Sequence, residues 1–581
     1  MIDELRWRLS TALKGISDSL YPGNDVPQMA LYEAIETPPS VELGHLAFPS
    51  FVIAKKVRQN PMQVAQGICA ALEHTSLLAR VAVQGPYVNC FFKPAEIAEF
   101  IIEPILSGQS FKRTLDGAHT RLMIEYSQPN THKELHVGHL RNLSLGNALV
   151  NILRYWGYDI TAATYPGDIG THVAKCLWYL KKYAATPKPD EDKGTWLGRM
   201  YSTAHNLLES ERGTEKEESN RQELSHILRQ LAEHKGEYYT LWQETREWSI
   251  DLMKHAYAWA EVSFDRWFFE SEVDEPSLQY ARELYQQGKL EESDGAIGMN
   301  LEDEKLGFCI LIKSDGNGLY ATKDVLLAKK KFDEFKIDKS IYLVDKRQAF
   351  HFQQVFKVLE RLGFEKIKNC VHLEYDYVEL PEGPMSSRKG NIIPFMDLVE
   401  RMQAAICERY LSKYDDLSPE QMREIARIIA NGAIKYGMLK YDNNKKIVFD
   451  MEEWLKIEGE TGTYIQYAAT RIRSIINKLG DATLSTPAWD KLATTQEMNL
   501  LLKLTKFNEV IHNCCNQYKA TFLCTYLFEL SRLFNAFYVE CRIVDEADAG
   551  LKAARVKLVQ GVYRTLEQGL ALLGIRVPAR M

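Results

Sequence analysis

The chain has 581 residues, 45% hydrophobic and 26% charged, with a net charge of −7, and a length beyond what one core organises predicts several domains. No low-complexity tract or internal period is present, and no apolar run approaches the ~20 residues of a membrane span. The mild acidity neither signals nor excludes a nucleic-acid partner, because such binding depends on where Lys and Arg cluster.

The opening stretch MIDELRWRLSTALKGISDSL carries acids and lacks a continuous apolar block, so it is not a secretory signal, and a soluble cytoplasmic protein is expected. Ile2, Leu5, Leu9, Leu13, Ile16 and Leu20 are spaced as one face of an amphipathic helix, broken by Tyr21-Pro22-Gly23-Asn24. Asn60-Pro61 predicts a second helix start, a capping residue followed by proline at the first helical position. VAVQGPYVNCFF alternates like paired strands around Gly85-Pro86, so residues up to about 110 read as a small α+β unit.

From Thr120 the pattern changes. RLMIEYS is a short apolar strand, Leu140 to Trp156 has helical period, Gly157 ends it, and YDITAAT is the next strand. This is a βαβ unit and implies a parallel sheet covered by helices. The charged run from about Lys181 to Lys235 reads as a solvated helical hairpin. Strand patterns return with FCILIKS, KSIYLVD and CVHLEYDYVEL, so the sheet is expected in two halves around a long insertion. After about Trp454 every segment reads helical, an all-α bundle. Ten cysteines without a CxxC pair support neither a zinc ribbon nor a redox site, and no metal ligand set is expected.

His136-Val137-Gly138-His139 falls between the first strand and first helix of the βαβ unit. Imidazoles and a helix N-terminus there supply donors for phosphate oxygens, which suits a reaction that expels pyrophosphate. Alone, the string also fits two ordinary helical histidines or two metal ligands. A second stretch, Met385-Ser386-Ser387-Arg388-Lys389-Gly390-Asn391, is a basic, small-residue loop compatible with phosphate.

Paired in one α/β sheet, these two stretches resemble the HIGH and KMSKS signatures of class I aminoacyl-tRNA synthetases. The flanking blocks resemble the arginyl enzymes: EYSQPNTHKELHVGHLRNLSLGN, TYPGDIGTH, DGNGLYATKDV, YLVDKRQAFHFQQVF, the helical YAATRIRSI and the ending RVPARM. The resemblance implies a multidomain α/β protein with a Rossmann-type parallel-sheet catalytic domain, an N-terminal small α+β domain and a C-terminal helical bundle. It implies an N-terminal tRNA-binding domain over residues 1–112 and a catalytic domain over 113–450 with a largely helical insertion near 180–300. An anticodon-binding domain over 451–581 completes it.

It further implies activation of L-arginine with ATP and Mg2+ and transfer, through the terminal 2′-hydroxyl, to tRNA(Arg), by a monomer. No protein nucleophile is required. His136, Gly138, His139 and the loop residues Met385, Ser386, Ser387, Arg388 and Lys389 are the implied catalytic set, with His136, Gly138, His139 and Lys389 on ATP. Glu125 and Asp324 are implied partners of the guanidinium, beside Tyr320. Asn130, His136 and Gln348, with Ser127, are implied to hold the rest of the amino acid. Tyr467, Arg471 and Met581 are the implied tRNA contacts. Carboxylates and fixed acceptors are what selection of a planar, permanent cation requires.

The chain also departs from the pattern. Aligned on Gly390-Asn391, both lysines of KMSKS are replaced, by Pro384 and Ser387, which predicts that arginine activation requires bound tRNA. Ile169 stands for the usual tryptophan and Gln128 for a common serine. The competing readings are another class I synthetase, a small nucleotidylyltransferase and a catalytically silent tRNA-binding adaptor. The absent zinc knuckle, the long insertion and the intact HVGH argue against them in turn.

Overall fold

The computed structural model describes residues 3–111, 119–188, 190–381, 383–384, 393–479 and 485–581. The chain forms two compact units. One gathers Met1–Arg113, Tyr464–Gln517 and Phe522–Leu570; the other gathers Thr114–Thr463, Tyr518–Thr521 and Ala571–Met581.

In the first unit the opening helix runs Glu4–Leu20, capped by Asp3 accepting from the Arg6 amide. It buries Leu5, Leu9 and Leu13 as the spacing predicts, but Ile16 is half-buried, Leu20 at its end is exposed, and Ile2 lies outside the described residues. Asn60 caps the helix Pro61–Leu72 in the expected way. Strands β1 (Leu46–Pro49), β2 (Leu78–Gln84) and β3 (Tyr87–Phe92) form an antiparallel sheet, β2 and β3 joined at Gly85 with φ +58°. The later residues of this unit are helical, among them Thr495–Thr505, Phe507–Gln517 and Thr521–Glu540. Glu497 is fully buried there and accepts from Arg555 Nε at 2.7 Å while also capping its own helix. An ion pair of Lys506 with Asp3 (2.5 Å) and one between Lys557 and Glu103 tie these helices to the N-terminal segment.

The second unit carries the parallel sheet. Strands β4 (Arg121–Glu125), β5 (Asp159–Thr164) and β6 (Arg266–Trp267) are laid down first. The chain then forms β7 (Glu291–Ser293), β8 (Ala296–Asn300) and β9 (Phe308–Ile312), and returns with β10 (Lys339–Asp345) and β11 (Cys370–Tyr375). The parallel sheet has the order β11-β10-β4-β5-β6, so the topology reverses between β4 and β10, where ligand crevices of such sheets open.

Three expectations change in detail. FCILIKS does not join the parallel sheet. It forms β9 of a separate antiparallel sheet, β7-β8-β9, because it pairs with β8 across a bulge at Gly298. CVHLEYDYVEL splits into β11 and β12 (Val378–Leu380), and β12 pairs with β13 (Gly383–Pro384) and β14 (Ile447–Val448) instead. The charged insertion does contain helices, Lys193–Ser210 and Lys216–Ala232, but Trp196, Leu197, Ile227 and Leu231 are buried against neighbouring helices, so the pair is only half solvated.

The segment Ala571–Met581 packs into this second unit. Lys435 Nζ donates to the Gly574 carbonyl (2.7 Å) and to Asn147 Oδ1 (3.1 Å), and the Tyr414 hydroxyl donates to the Met581 carbonyl (2.9 Å). Arg576 pairs with Glu261 and Glu424, and Arg580 with Asp416. Among the described residues no helix is long and apolar enough to cross a membrane.

Candidate active site

The helix Val137–Tyr155 begins at the crevice edge of β4, and HVGH forms its cap. His136 Nδ1 accepts from the Gly138 amide and His139 Nδ1 accepts from the His136 amide, each at 3.1 Å. Burial pushes the His136 imidazole down to about 4 and holds His139 well below its ordinary value. Both rings are therefore neutral with Nδ1 as acceptor, which leaves the hydrogen on Nε2 as a donor. Farther along, Arg141 is fully buried and donates to the carbonyls of Asp442, Asn443 and Lys445. Asn142 receives the Ser127 amide and donates to the Leu343 carbonyl and the Tyr375 hydroxyl. These bonds fix the helix to both neighbouring strands.

A cavity of 740 Å³ opens over the reversal point. Glu125 closes β4 and Asp345 closes β10, and both line it, with Asn130, His136, Gly138, His139, Tyr320, Asp324 and Gln348. Almost all the implied amino-acid and HVGH residues are thus brought together. Ser127 is not on this surface: it is buried at φ +57°, with Oγ 2.8 Å from the Tyr257 hydroxyl. Tyr320 is 61% exposed at the mouth, opening the helix Tyr320–Phe335, and Asp324 one turn on meets His351 Nε2 at 2.6 Å. Glu125 is buried and carries an ion pair to Lys331 (2.5 Å).

Sequence reading missed Glu270, and with it Tyr165 and His351, which also line the cavity. Glu270 opens the helix Glu270–Gln286, is 7% exposed, and lies 3.4 Å from Lys323 Nζ. Burial pushes its carboxyl up to about 7, with Lys323 opposing the rise and Asp168 and Asp324 adding to it. The sequence offers only an acid at a helix start after a strand of two residues, which does not mark it as a site residue. Asp168, from the PGDIG stretch, is fully buried and accepts from the Ser271 amide (2.9 Å), Ser271 Oγ (2.6 Å) and Arg246 Nε (2.7 Å). It thereby pins the first turn that presents Glu270. The same loop meets the loop after β4, where Thr131 N donates to the Gly167 carbonyl and Gly167 N to the Pro129 carbonyl.

The stretch Met385–Asn391, with Ser386, Ser387, Arg388 and Lys389, lies outside the described residues. The chain beyond it is described, and it lies against HVGH: Val137 N donates to the Ile393 carbonyl and Phe395 N to the Leu135 carbonyl. Tyr467 and Arg471 belong to the other compact unit, where Arg471 donates to the Tyr467 hydroxyl and to Asn535 and stacks over Tyr467. Met581 is buried in the catalytic unit.

The fold and this site define a class I aminoacyl-tRNA synthetase: the family model "tRNA synthetases class I (R), catalytic domain" matches residues 102–451. The models "Arginyl tRNA synthetase N terminal domain" and "DALR anticodon binding domain" match 3–92 and 465–581. The arginine–tRNA ligase of Bdellovibrio bacteriovorus is 51% identical over 580 residues, covering 100% of this chain and 99% of that protein. That of Clostridium acetobutylicum is 33% identical, covering 96% and 97%. The Thermus thermophilus arginyl-tRNA synthetase structure is 26% identical with a TM-score of 0.77, over 99% of this chain and 100% of that one. The chain belongs to the arginyl-tRNA synthetase family.

Proposed function

We propose that the protein activates L-arginine with ATP, taken as its magnesium complex, and transfers it to the 3′ end of tRNA(Arg), releasing AMP and pyrophosphate. The observation that carries this reading is a single cavity joining the HVGH donors to the acids Glu125, Glu270 and Asp324. Arginine's guanidinium lies between Asp324 and Glu270, with Tyr320 over it and Glu125 beneath. Asn130 and Gln348 orient its ammonium and carboxylate. The carboxylate attacks the α-phosphorus while the His136 and His139 Nε2–H groups and the helix N-terminus meet the phosphate charge that develops. Met385, Ser386, Ser387, Arg388 and Lys389 serve the departing pyrophosphate. The tRNA terminal hydroxyl then attacks the adenylate carbonyl, with no protein nucleophile.

Residues 1–112 and 451–581 serve tRNA binding in this reading, with Tyr467 and Arg471 as stacking and cationic contacts. Met581, buried as it is, acts through packing. Action as a monomer belongs to the same reading, and ten free thiols support a reducing cytoplasm.

The test is aminoacylation of total tRNA with labelled arginine, lysine and citrulline, with arginine-dependent pyrophosphate exchange measured with and without tRNA. Charging by arginine alone, and exchange only with tRNA present, is expected. Charging by another amino acid, or none, overturns the assignment. Exchange without tRNA overturns only the dependence inferred from the missing lysines.

A further inference from the structure

Along the helix Tyr320–Phe335, positions 320, 324 and 331 fall on one face, since steps of four and seven residues return to within about 40° of one another. Tyr320 and Asp324 line the cavity, and Lys331 meets it through Glu125. Lys331 is fully buried, with Nζ 2.5 Å from Glu125 Oε2 and 4.0 Å from the centre of the Tyr342 ring. The second carboxylate oxygen of Glu125, Oε1, is 3.4 Å from Gln128 Nε2, and Gln128 lines the cavity as well. The cavity's other acids are held differently. Asp324 meets an imidazole that is cationic only when protonated, Glu270 shares Lys323 with Asp274 at 3.2–3.4 Å, and Asp345 is paired with its neighbour Arg347 at 2.7 Å.

We infer that Lys331 is a specificity-positioning residue: it cancels the charge of Glu125 and fixes that carboxylate's direction, so Glu125 offers arginine an oriented acceptor and no net charge. Net attraction for the guanidinium then falls to Asp324 and Glu270. The inference rests on the placement of arginine in this cavity proposed above.

The two charges stand or fall together. Glu125→Gln leaves a buried lysine with no carboxylate, facing a cationic substrate; like charge in a desolvated site is strongly unfavourable. Adding Lys331→Met removes the stranded cation and returns the pocket to its original charge. Replacing a buried ion pair by uncharged side chains of similar size is commonly neutral for folding, so the double variant is the informative one.

The experiment measures KM for arginine and for ATP by pyrophosphate exchange in the presence of tRNA, with citrulline inhibition as a neutral control. Glu125→Gln is expected to raise the arginine KM about 30-fold, with ATP KM and citrulline inhibition changed less than about threefold. Glu125→Gln with Lys331→Met is expected to recover at least about tenfold of that loss. A double variant no better than Glu125→Gln overturns the inference, because Glu125 would then be arginine's direct ionic partner. An unchanged arginine KM in Glu125→Gln alone overturns the arginine placement itself.

Discussion

Replacing Glu270 by glutamine tests the electrostatics of the pocket directly. Burial holds this carboxyl at about 7, so in the empty enzyme it is neutral in acid and charged above neutrality. Only the carboxylate attracts the guanidinium, so arginine binding must draw the proton off wherever it is present. The arginine KM should rise about tenfold for each pH unit below 7 and flatten above about 8. Arginine's guanidinium stays charged throughout, so the substrate does not contribute to that slope. Glu270→Gln keeps the shape and removes the charge at every pH. A lost charge-assisted contact in a desolvated site is worth about 2–3 kcal/mol, so the KM should rise ~30–150-fold at pH 8. The slope below pH 7 should vanish as well. The assay is pyrophosphate exchange with saturating ATP and tRNA from pH 5.5 to 8.5, with kcat followed separately. If the variant keeps the wild-type slope, another group titrates and Glu270 does not face the guanidinium.

Gly146 lies under Tyr126, where an added Cβ would stand 2.7 Å from that residue's own Cβ and closer still to its ring. Gly146→Ala should cost about 1–3 kcal/mol, read as a lowered midpoint of chemical denaturation of the catalytic unit. Burial lowers the Lys435 ammonium from 10.5 to about 7. Between those values the unfolded chain binds a proton that the folded chain does not, so this group makes stability rise with pH across that window. Lys435→Met should abolish its share of the rise, which denaturation at pH 7 and 9.5 will measure. His136→Ala removes one donor for the developing phosphate charge and should lower kcat ~10²-fold at saturating arginine and ATP.

The βαβ unit and its HVGH cap were legible because strand, glycine break and helical period all fall within one short stretch. Glu125, Asn130, Tyr320, Asp324 and Gln348 were reached through resemblance to known motifs, and the chain brings them to one cavity. Glu270 was not legible: its preceding strand, Arg266–Trp267, is too short to show alternation, and an acid at a helix start usually answers the helix dipole. Lys331 sits in the run Lys329-Lys330-Lys331, which reads as a solvated face, although its own position is fully buried. FCILIKS shows why local pattern does not settle topology. A short continuous apolar run states that a strand is packed, whereas its partner strand is decided by the turn and bulge at β8.

The return of Ala571–Met581 to the catalytic unit bears on how the chain matures. This segment emerges from the ribosome only after residues 464–570 have been made. Until then Lys435 lacks the Gly574 carbonyl, and Glu261 and Glu424 lack Arg576. The nascent catalytic unit therefore carries an amine donor that lacks one of its acceptors and an open seam along the helix Pro419–Leu439. Its closure waits on that segment, and the seam is where a chaperone or protease would find the unfinished enzyme.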